Sequence, residues 1–418
     1  MKSEVKFQVA ASDLTAALSV VSILTPRPIT PNGKAGYLFV VRDGLCYVYS
    51  RDSLRVARAH FPVQEVDGEG SFIYPSEYIK GFQFLQDDVL TFTAVSDGDT
   101  HTVKFTSRSG AGSERTSYDP KLMAVCDKDV ESAKKERSFP VYVLREAIGV
   151  AKPFLSEPQD NRVDEQYKAL QIFDDSNESW SKGDGTLYAA NGTKALYFYC
   201  DAFKGKGLGL HGQHLGPVTS FLAKCEGEVQ IKSGQNMTFA VDEKGRVLGW
   251  AHHTKTYQKY SYYALKNDTY VFDLPVRAVL SALKYMETEL DSKRDKLRLS
   301  YVAASNELLF SVVEGDSKAT SFPVPVSPRE EAATEDFTFS VNLYNMLDLI
   351  QGAKGDKIEL RVCILPADER RPRAVAMFRT IDEFLLDADG KVVGGSGVET
   401  QPEGSFRCRV TRFSPSKD

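Results

Sequence analysis

The side chains most able to do chemistry are too widely spread in this sequence to form a reactive centre. None of the six histidines belongs to an H-x-x-x-H pair or a cysteine–histidine set, and His252 and His253 are simply adjacent. The carboxylate pair Asp87-Asp88 stands between a predicted helix and a predicted strand, where solvated turn residues are common. Because metal and acid–base sites need such groups at defined spacings, we expect no metal, no cofactor and no catalytic activity.

Nucleotide-binding and hydrolase motifs are also missing. The sequence has neither a G-x-x-x-x-G-K-[ST] phosphate loop nor a G-x-S-x-G elbow, and the glycine-rich KGKGLGL at 204–210 lacks a helix start in the required phase. Six scattered cysteines without a C-x-x-C favour reduced thiols in an intracellular protein. The opening MKSEVKFQVAASD is not a signal peptide, and no run of 18 apolar residues occurs. We therefore predict a cytoplasmic protein with no membrane partner.

The length of the chain indicates the number of domains, and its net charge limits how it could bind nucleic acid. The 418 residues fit roughly three domains of 100–150 residues each. A net charge of −5 gives no general attraction to nucleic acid, so such binding requires basic residues concentrated on one surface.

One pattern occurs three times in the sequence: a short strand, a helix with an apolar stripe, and a second strand. Its first copy, at 70–92, carries Tyr78, Ile79, Phe82 and Leu85 at the spacing of one α-helical face, after Ser76 as the expected N-cap. The copies at 208–231 and 337–362 carry equivalent stripes, listed here: Leu215, Val218, Phe221 and Leu222; Leu343, Met346, Leu347 and Ile350. The last apolar positions are 222 − 85 = 137 and 350 − 222 = 128 residues apart.

A second helix precedes each copy and gives nearly the same period. Its first apolar anchors are Leu14, Leu144 and Val276, separated by 144 − 14 = 130 and 276 − 144 = 132 residues. In the first copy Ser12-Asp13 is the predicted N-cap region. A period this long indicates repeated domains, since solenoid units span about 20–50 residues.

Strand-like runs with turn residues lie between the two helices of each copy, and further strands follow the second helix. We predict an α+β fold of three repeated domains, each with two helices on a curved antiparallel sheet. The predicted domains are 1–124, 137–266 and 267–418, and the charged segment 121–138 is the predicted linker.

The ordered set of local patterns resembles a known family, the bacterial-type DNA sliding clamp (the β subunit of DNA polymerase III), in bacterial or viral versions. The opening matches F-x-V-x-x-x-x-L-x-x-A-L at 7–18, with Arg27-Pro28 after the helix and Asp43-Gly44 at a strand turn. LYAANGTKAL at 187–196 looks like the family's A-T-D-G-H-R-L segment but departs from it, with Asn191 for the acid and Thr193-Lys194 for His-Arg.

This resemblance implies a ring formed by a head-to-tail homodimer, with helices lining a hole that encircles duplex DNA. The protein would then be a processivity factor, loaded by a clamp loader, that tethers the replicative DNA polymerase. Basic residues on the inner helices and flanking turns would contact phosphates without reading sequence. The expected DNA-binding residues are Arg27, Arg51, Lys80, Arg145, Lys152, Arg162, Lys224, Arg277 and Lys284.

The resemblance also implies two protein surfaces. A pocket for the linear peptides of partners is expected at Leu170, Ala190, Thr193, Leu196, Tyr257, Tyr260, Val410 and Phe413. The dimer interface is expected between strand 102–108, with Lys104 and Arg108, and strand 308–316, with Glu314 and Asp316. Two alternatives stay open: a β-rich structural or adhesive protein of repeated domains without DNA binding, which leaves the paired helices unexplained, and an enzyme with an unrecognised site.

Overall fold

The computed structural model describes residues 3–28, 35–85, 87–98, 100–123, 127–133, 135–173, 185–252, 270–290, 296–312, 320–329, 335–353, 355–365, 375–386, 392–394 and 406–415. The chain forms two compact units. Unit one contains Met1–Val141 and Gly216–His252, and unit two contains Tyr142–Leu215 and His253–Asp418.

Helices and strands follow one another in a similar order three times, with one additional strand in the first repeat (β5, Gln64–Asp67) and two in the third (β22, Ser327–Pro328, and β26, Val392–Gly394). The first repeat comprises β1 (Ser3–Ala10), α1 (Ala11–Val21), β2 (Gly36–Arg42), β3 (Leu45–Arg51), β4 (Arg55–Pro62), β5 (Gln64–Asp67), β6 (Gly70–Pro75), the 3-10 helix Ser76–Leu85, β7 (Val89–Asp97), β8 (Thr100–Ser107) and β9 (Gly112–Thr116). A short helix, α2 (Asp127–Glu131), follows within the predicted linker.

The second repeat comprises β10 (Lys135–Pro140), α3 (Val141–Ala151), the 3-10 turns Lys152–Phe154 and Glu165–Lys168, β11 (Ala169–Ile172), β12 (Thr186–Ala190), β13 (Lys194–Tyr199), β14 (Leu208–His211), α4 (Gly212–Leu222), β15 (Glu228–Ser233), β16 (Met237–Asp242) and β17 (Val247–Ala251).

The third repeat comprises β18 (Tyr270–Pro275), α5 (Val276–Glu289), β19 (Lys296–Val302), β20 (Glu307–Val312), β21 (Thr320–Pro325), β22 (Ser327–Pro328), β23 (Phe337–Asn342), α6 (Leu343–Ile350), β24 (Lys357–Leu365), β25 (Val375–Leu386), β26 (Val392–Gly394) and β27 (Phe406–Pro415).

Each repeat contributes two sets of four neighbouring strands, and the paired strands are antiparallel. One set of four strands runs β1-β7-β8-β9, then β10-β15-β16-β17, then β18-β24-β25-β27. The other set runs β6-β2-β3-β4, then β14-β11-β12-β13, then β23-β19-β20-β21. The prediction of an α+β fold of repeated two-helix, antiparallel-sheet units is thereby confirmed.

Two strand pairings join successive repeats, and we call them the internal junctions. In unit one β4 of the first repeat pairs with β17 of the second, as at Ala57 and Leu248. In unit two β13 of the second repeat pairs with β27 of the third, from Lys194 opposite Thr411 to Tyr199 opposite Phe406. Each sheet therefore continues from one repeat into the next.

Apolar stripes of the helices form the cores with the sheets. In the first repeat Phe39 and Phe72 stack with ring centroids 5.0 Å apart, and Phe7 and Phe92 with centroids 5.3 Å apart. All four rings are completely or almost completely buried. Burying such rings is a large stabilising contribution, and stacked geometry adds about 0.5–1.5 kcal/mol per pair.

The predicted α-helix at 76–85 is wrong in type. It is a 3-10 helix, which has three residues per turn, so side chains at i and i+3 eclipse and the 3.6-residue stripe is lost. Only Phe82 is buried there, whereas Tyr78 is 39% exposed and Phe84 is 80% exposed. The Ser76 hydroxyl caps no helix and instead donates to the Ala35 carbonyl at 3.2 Å.

Of the other two predicted helix N-caps, one is wrong and one is confirmed. Helix α1 begins at Ala11, with Ala10 as an N-cap that makes no side-chain bond, so the predicted cap at Ser12-Asp13 is wrong by two residues. In the third repeat the side chain of Asn342 accepts from the Asn345 amide at 3.1 Å, as its position before α6 predicts.

Candidate nucleic-acid and partner surfaces

Helix α5 presents its basic residues on the side opposite its core stripe. Val276, Val279 and Leu283 are buried, whereas Arg277 and Lys284, seven residues and about two turns apart, are exposed. The helix therefore holds two cations on one solvent-facing side.

The other helical candidates are also at the surface. Lys80 is exposed on the 3-10 helix, Lys152 is exposed on the turn after α3, and Lys224 is exposed just beyond α4. Arg145 on α3 is partly buried, with its guanidinium carbon 5.4 Å from the centroid of the Tyr142 ring.

Two candidates from different turns of unit one lie together. The Arg27 amide donates to the Arg51 carbonyl at 2.8 Å, so the loop after α1 is held against the end of β3. Arg27 is exposed and Arg51 is partly buried. Nothing in the sequence predicted that these two residues lie close together.

Arg162 forms an ion pair with a neighbouring carboxylate. Its Nε and Nη2 donate to the two carboxylate oxygens of Asp160, both at 3.0 Å. These bonds, with the Arg162 amide, lower the pKa of Asp160 to about 2. An arginine held in a bidentate pair offers less charge to a phosphate than an unpaired one.

Residues predicted for the peptide pocket fall on strands of one sheet in unit two. Leu170 and Leu196 are completely buried, so neither presents surface to a ligand in this conformation, and Ala190 is also buried. Thr193 is exposed in the turn between β12 and β13, where its hydroxyl donates to the Asn191 side chain at 3.0 Å.

The remaining pocket residues are only partly described. Val410 and Phe413 lie on β27, where Val410 pairs with Ala195 and Phe413 with Ala376. Tyr257 and Tyr260 lie outside the described residues. The pocket assignment stays a prediction.

Sequence reasoning missed an ion pair in this region. Lys194, which stands where the family carries arginine, bonds through Nζ to the Asp348 carboxylate on α6, and the two side chains are only 11% and 15% exposed. The same ammonium lies 5.7 Å from the centroid of the Phe154 ring. The pair links β13 of the second repeat to α6 of the third, and no spacing in the sequence connects positions 194 and 348.

The strands predicted for the dimer interface are not sheet edges. β8, which carries Lys104, pairs with β7 on one side and β9 on the other. β20 is likewise enclosed by β19 and β21. A further strand follows each one and occupies the edge: β9 after β8, and β21 after β20. Glu314 and Asp316 lie outside the described residues.

Arg108 follows β8 and is held in a turn, its amide donating to an Asp88 carboxylate oxygen at 3.0 Å. Bonds from the Ser109 hydroxyl and amide lower the pKa of Asp88 to about 2. The interface role of Lys104 and Arg108 stays a prediction.

Two of the sheet edges are β9 in unit one and β21 in unit two, and we call these two the open edges. Exposed aromatic side chains occur on helices of the same two repeats: Tyr78 and Phe84 in the first, and Tyr285, 46% exposed on α5, in the third. Tyr285 contacts Phe322 of β21, with ring centroids 6.0 Å apart.

Among the described residues, no three His, Cys, Asp or Glu side chains come together as a metal site. Within the same residues, no helix is long and apolar enough to cross a membrane.

Solved structures of bacterial clamps are similar over nearly the whole chain. The β subunit of DNA polymerase III from Pseudomonas aeruginosa has a TM-score of 0.75 and 12% identity, over 98% of this chain and 100% of that one. The DNA polymerase sliding clamp from Caulobacter crescentus has 0.74 and 13%, over 98% and 100%. The DNA polymerase III β subunit from Thermotoga maritima has 0.69 and 13%, over 99% and 100%.

No family model matches the sequence, and no curated protein matches it. The likeness therefore lies in the fold. The chain has the fold of the bacterial sliding clamp, as the sequence resemblance predicted.

Proposed function

We propose that this protein is a processivity clamp: a ring that encircles duplex DNA and tethers a replicative DNA polymerase. It does so without catalysis of its own, and a separate loader opens and closes it. The proteins of the same fold are DNA polymerase III β subunits and sliding clamps by name.

The observation that supports a ring is the repetition of the internal junction. Twice in the chain the last strand of one set of four pairs with the last strand of the other set in the next repeat, as β4 with β17 and β13 with β27. By the same rule β21 of the third repeat requires the strand equivalent to β17 and β27, which is β9 of the first repeat. Both β9 and β21 are sheet edges.

A second copy of the chain satisfies this requirement. If β21 of each copy pairs with β9 of the other, a head-to-tail, closed homodimer of six repeats results, and no open edge remains. The hydrogen bonds at each interface repeat those within the chain, and exposed aromatic residues at the two ends supply apolar area.

Retention on DNA then comes from topology, so the basic side chains need only weak contacts. Phosphate contacts by Lys80, Arg277, Lys284 and their neighbours are independent of sequence and weaken with salt. Weak contacts also allow the ring to slide.

Light scattering tests the ring, with an expected mass of twice the chain. Protein assembled on nicked circular duplex should be retained and should be lost when the circle is cut, because only a threaded ring escapes over free ends. Equal retention on circular and cut DNA would contradict the proposal. A β-rich structural protein, the second candidate, would show no retention on either.

A further inference from the structure

A cleft with a volume of about 490 Å³ lies in unit two between α3 and the end of α6. Its walls are formed by Tyr142, Arg145, Glu146, Gly149, Val150, Pro153, Phe154, Asp348, Gln351 and Gly352. This volume is within the range of about 300–1,000 Å³ that is typical of small-molecule sites. Of the predicted peptide-pocket residues whose side chains the structure describes, Leu170, Ala190, Thr193 and Leu196, none lines it.

One wall carries an aromatic–cation pair. Tyr142 and Arg145 are three residues apart on α3, and the guanidinium carbon lies 5.4 Å from the ring centroid. Aromatic rings and guanidinium planes are the surfaces on which proteins stack unpaired bases.

Opposite charges neutralise each other at the cleft. Lys194 pairs with Asp348, and its ammonium also lies over the buried Phe154 ring. Because this pair leaves little net charge, the interior favours a neutral, planar group. Gln351 adds an amide that can both donate and accept hydrogen bonds, as the edge of a base requires.

Glycine keeps the cleft open. Gly149 lines it, and a side-chain carbon built at this position would meet no atom within 4 Å. The equivalent positions, 149 − 130 = 19 and 149 + 132 = 281, are Ser19 and Ser281. The first helices of the other two repeats therefore carry a side chain where α3 has none.

We propose that this cleft binds an unpaired nucleobase of single-stranded DNA. The base stacks on Tyr142 and Arg145 and bonds through its edge to Gln351. Its phosphates lie near Arg145 and the exposed Lys152, which follows the lining residue Val150 by two positions. This inference rests on the proposed DNA-binding function. A base that is already unpaired enters at little cost, whereas one in a duplex must first be unstacked.

Fluorescence anisotropy of the full chain with labelled oligonucleotides tests the site. One probe is a ten-nucleotide oligothymidylate, and the other is an abasic strand of the same length and charge. We expect the thymidylate to bind about 5- to 100-fold tighter, since stacking contributes about 1–3 kcal/mol per base. Gly149→Leu fills the cleft and should reduce thymidylate affinity to that of the abasic strand.

Gly216→Leu is the matched control. Gly216 is also an exposed helical glycine with no atom within 4 Å of the added carbon, but it lies on α4 and does not line the cleft. Gln351→Ala, which leaves the cleft open, should lower thymidylate affinity alone. Equal binding of both probes by the unaltered protein would overturn the inference, as would unchanged thymidylate binding by Gly149→Leu. Neither result contradicts the proposed ring if the protein is still retained on circular DNA and lost from cut DNA.

Discussion

Equivalent strands of the repeats form the internal junctions and the open edges. At the junctions, a strand of one repeat is paired with a strand of the next, and helix positions equivalent to Phe84, namely Phe221 and Leu349, are completely buried. At the open edges β9 and β21 each pair with one strand only among the described residues, and Phe84 is 80% exposed. This difference supports the proposed ring, in which β9 and β21 form one more junction.

The largest expected effect concerns the internal junction of the second and third repeats. Replacing Lys194 by Met removes a positive charge from beside the mostly buried Asp348 carboxylate. We expect a loss of about 3 kcal/mol in unfolding free energy, the lower end for breaking a buried pair, because both side chains keep slight exposure. The urea midpoint measures this loss.

Lys204→Met is the control for that prediction. Lys204 pairs with Asp201, but these side chains are 52% and 58% exposed, and solvent-exposed ion pairs contribute little to stability. Similar midpoints for the two variants would show that the Lys194 pair does not stabilise the junction.

The next largest effect is expected where the aromatic residues flank the open ends. Phe84→Asp and Tyr285→Asp should each weaken the dimer by about 30-fold or more, since central apolar contacts contribute about 2 kcal/mol or more. Sedimentation velocity gives the dissociation constant. Leu54→Asp and Val66→Asp, at side chains 39% and 40% exposed, should leave it unchanged.

Mixing the two aromatic variants sharpens this test. In a head-to-tail pair, one interface of the mixed dimer carries both substitutions and the other carries neither, so dimer mass should return in the mixture. A mixture that stays monomeric would argue against that arrangement.

A smaller effect is expected from blocking the β9 edge. The Ser117 amide bonds to the His101 carbonyl at 2.7 Å, so by antiparallel alternation the Glu114 amide points away from β8. Glu114→Pro removes this outward donor and should weaken the dimer about tenfold, whereas Glu114→Ala keeps it. Equal dimer masses at limiting concentration would exclude β9 as the pairing strand.

Charge reversal at the α5 surface should act on DNA and leave assembly intact. We expect Arg277→Glu with Lys284→Glu to shorten retention on circular DNA several-fold and to reduce its salt dependence, because two phosphate contacts are lost. Arg162→Glu should change retention less, since Asp160 already neutralises Arg162. A larger effect at Arg162 would contradict this ranking.

The smallest effect is a pH dependence within unit two. Burial lowers the pKa of His211 on β14 below its ordinary value of 6.5, and the Glu165 carboxylate opposes this only in part. The unfolded chain therefore takes up the proton first, so stability is present above about pH 6.5 and falls as the pH is lowered. His211→Gln should flatten this part of the urea-midpoint profile without changing dimer mass, and an unaltered profile would remove His211 as its cause.

The sequence by itself determined the repetition and the fold class. Apolar stripes recurring at Leu14, Leu144 and Val276 require a sheet to cover them, so periodicity alone predicts three units of helices on sheets. One helix N-cap could also be predicted from the sequence, since Asn342 caps α6 as its position predicts.

Only the tertiary structure decided which strands are edges and that Lys194 meets Asp348. These features depend on pairing between segments far apart in the chain, which leaves no periodic trace in the sequence. The spacing of apolar residues also did not distinguish an α-helix from the 3-10 helix that Ser76–Leu85 forms, in which only Phe82 is buried.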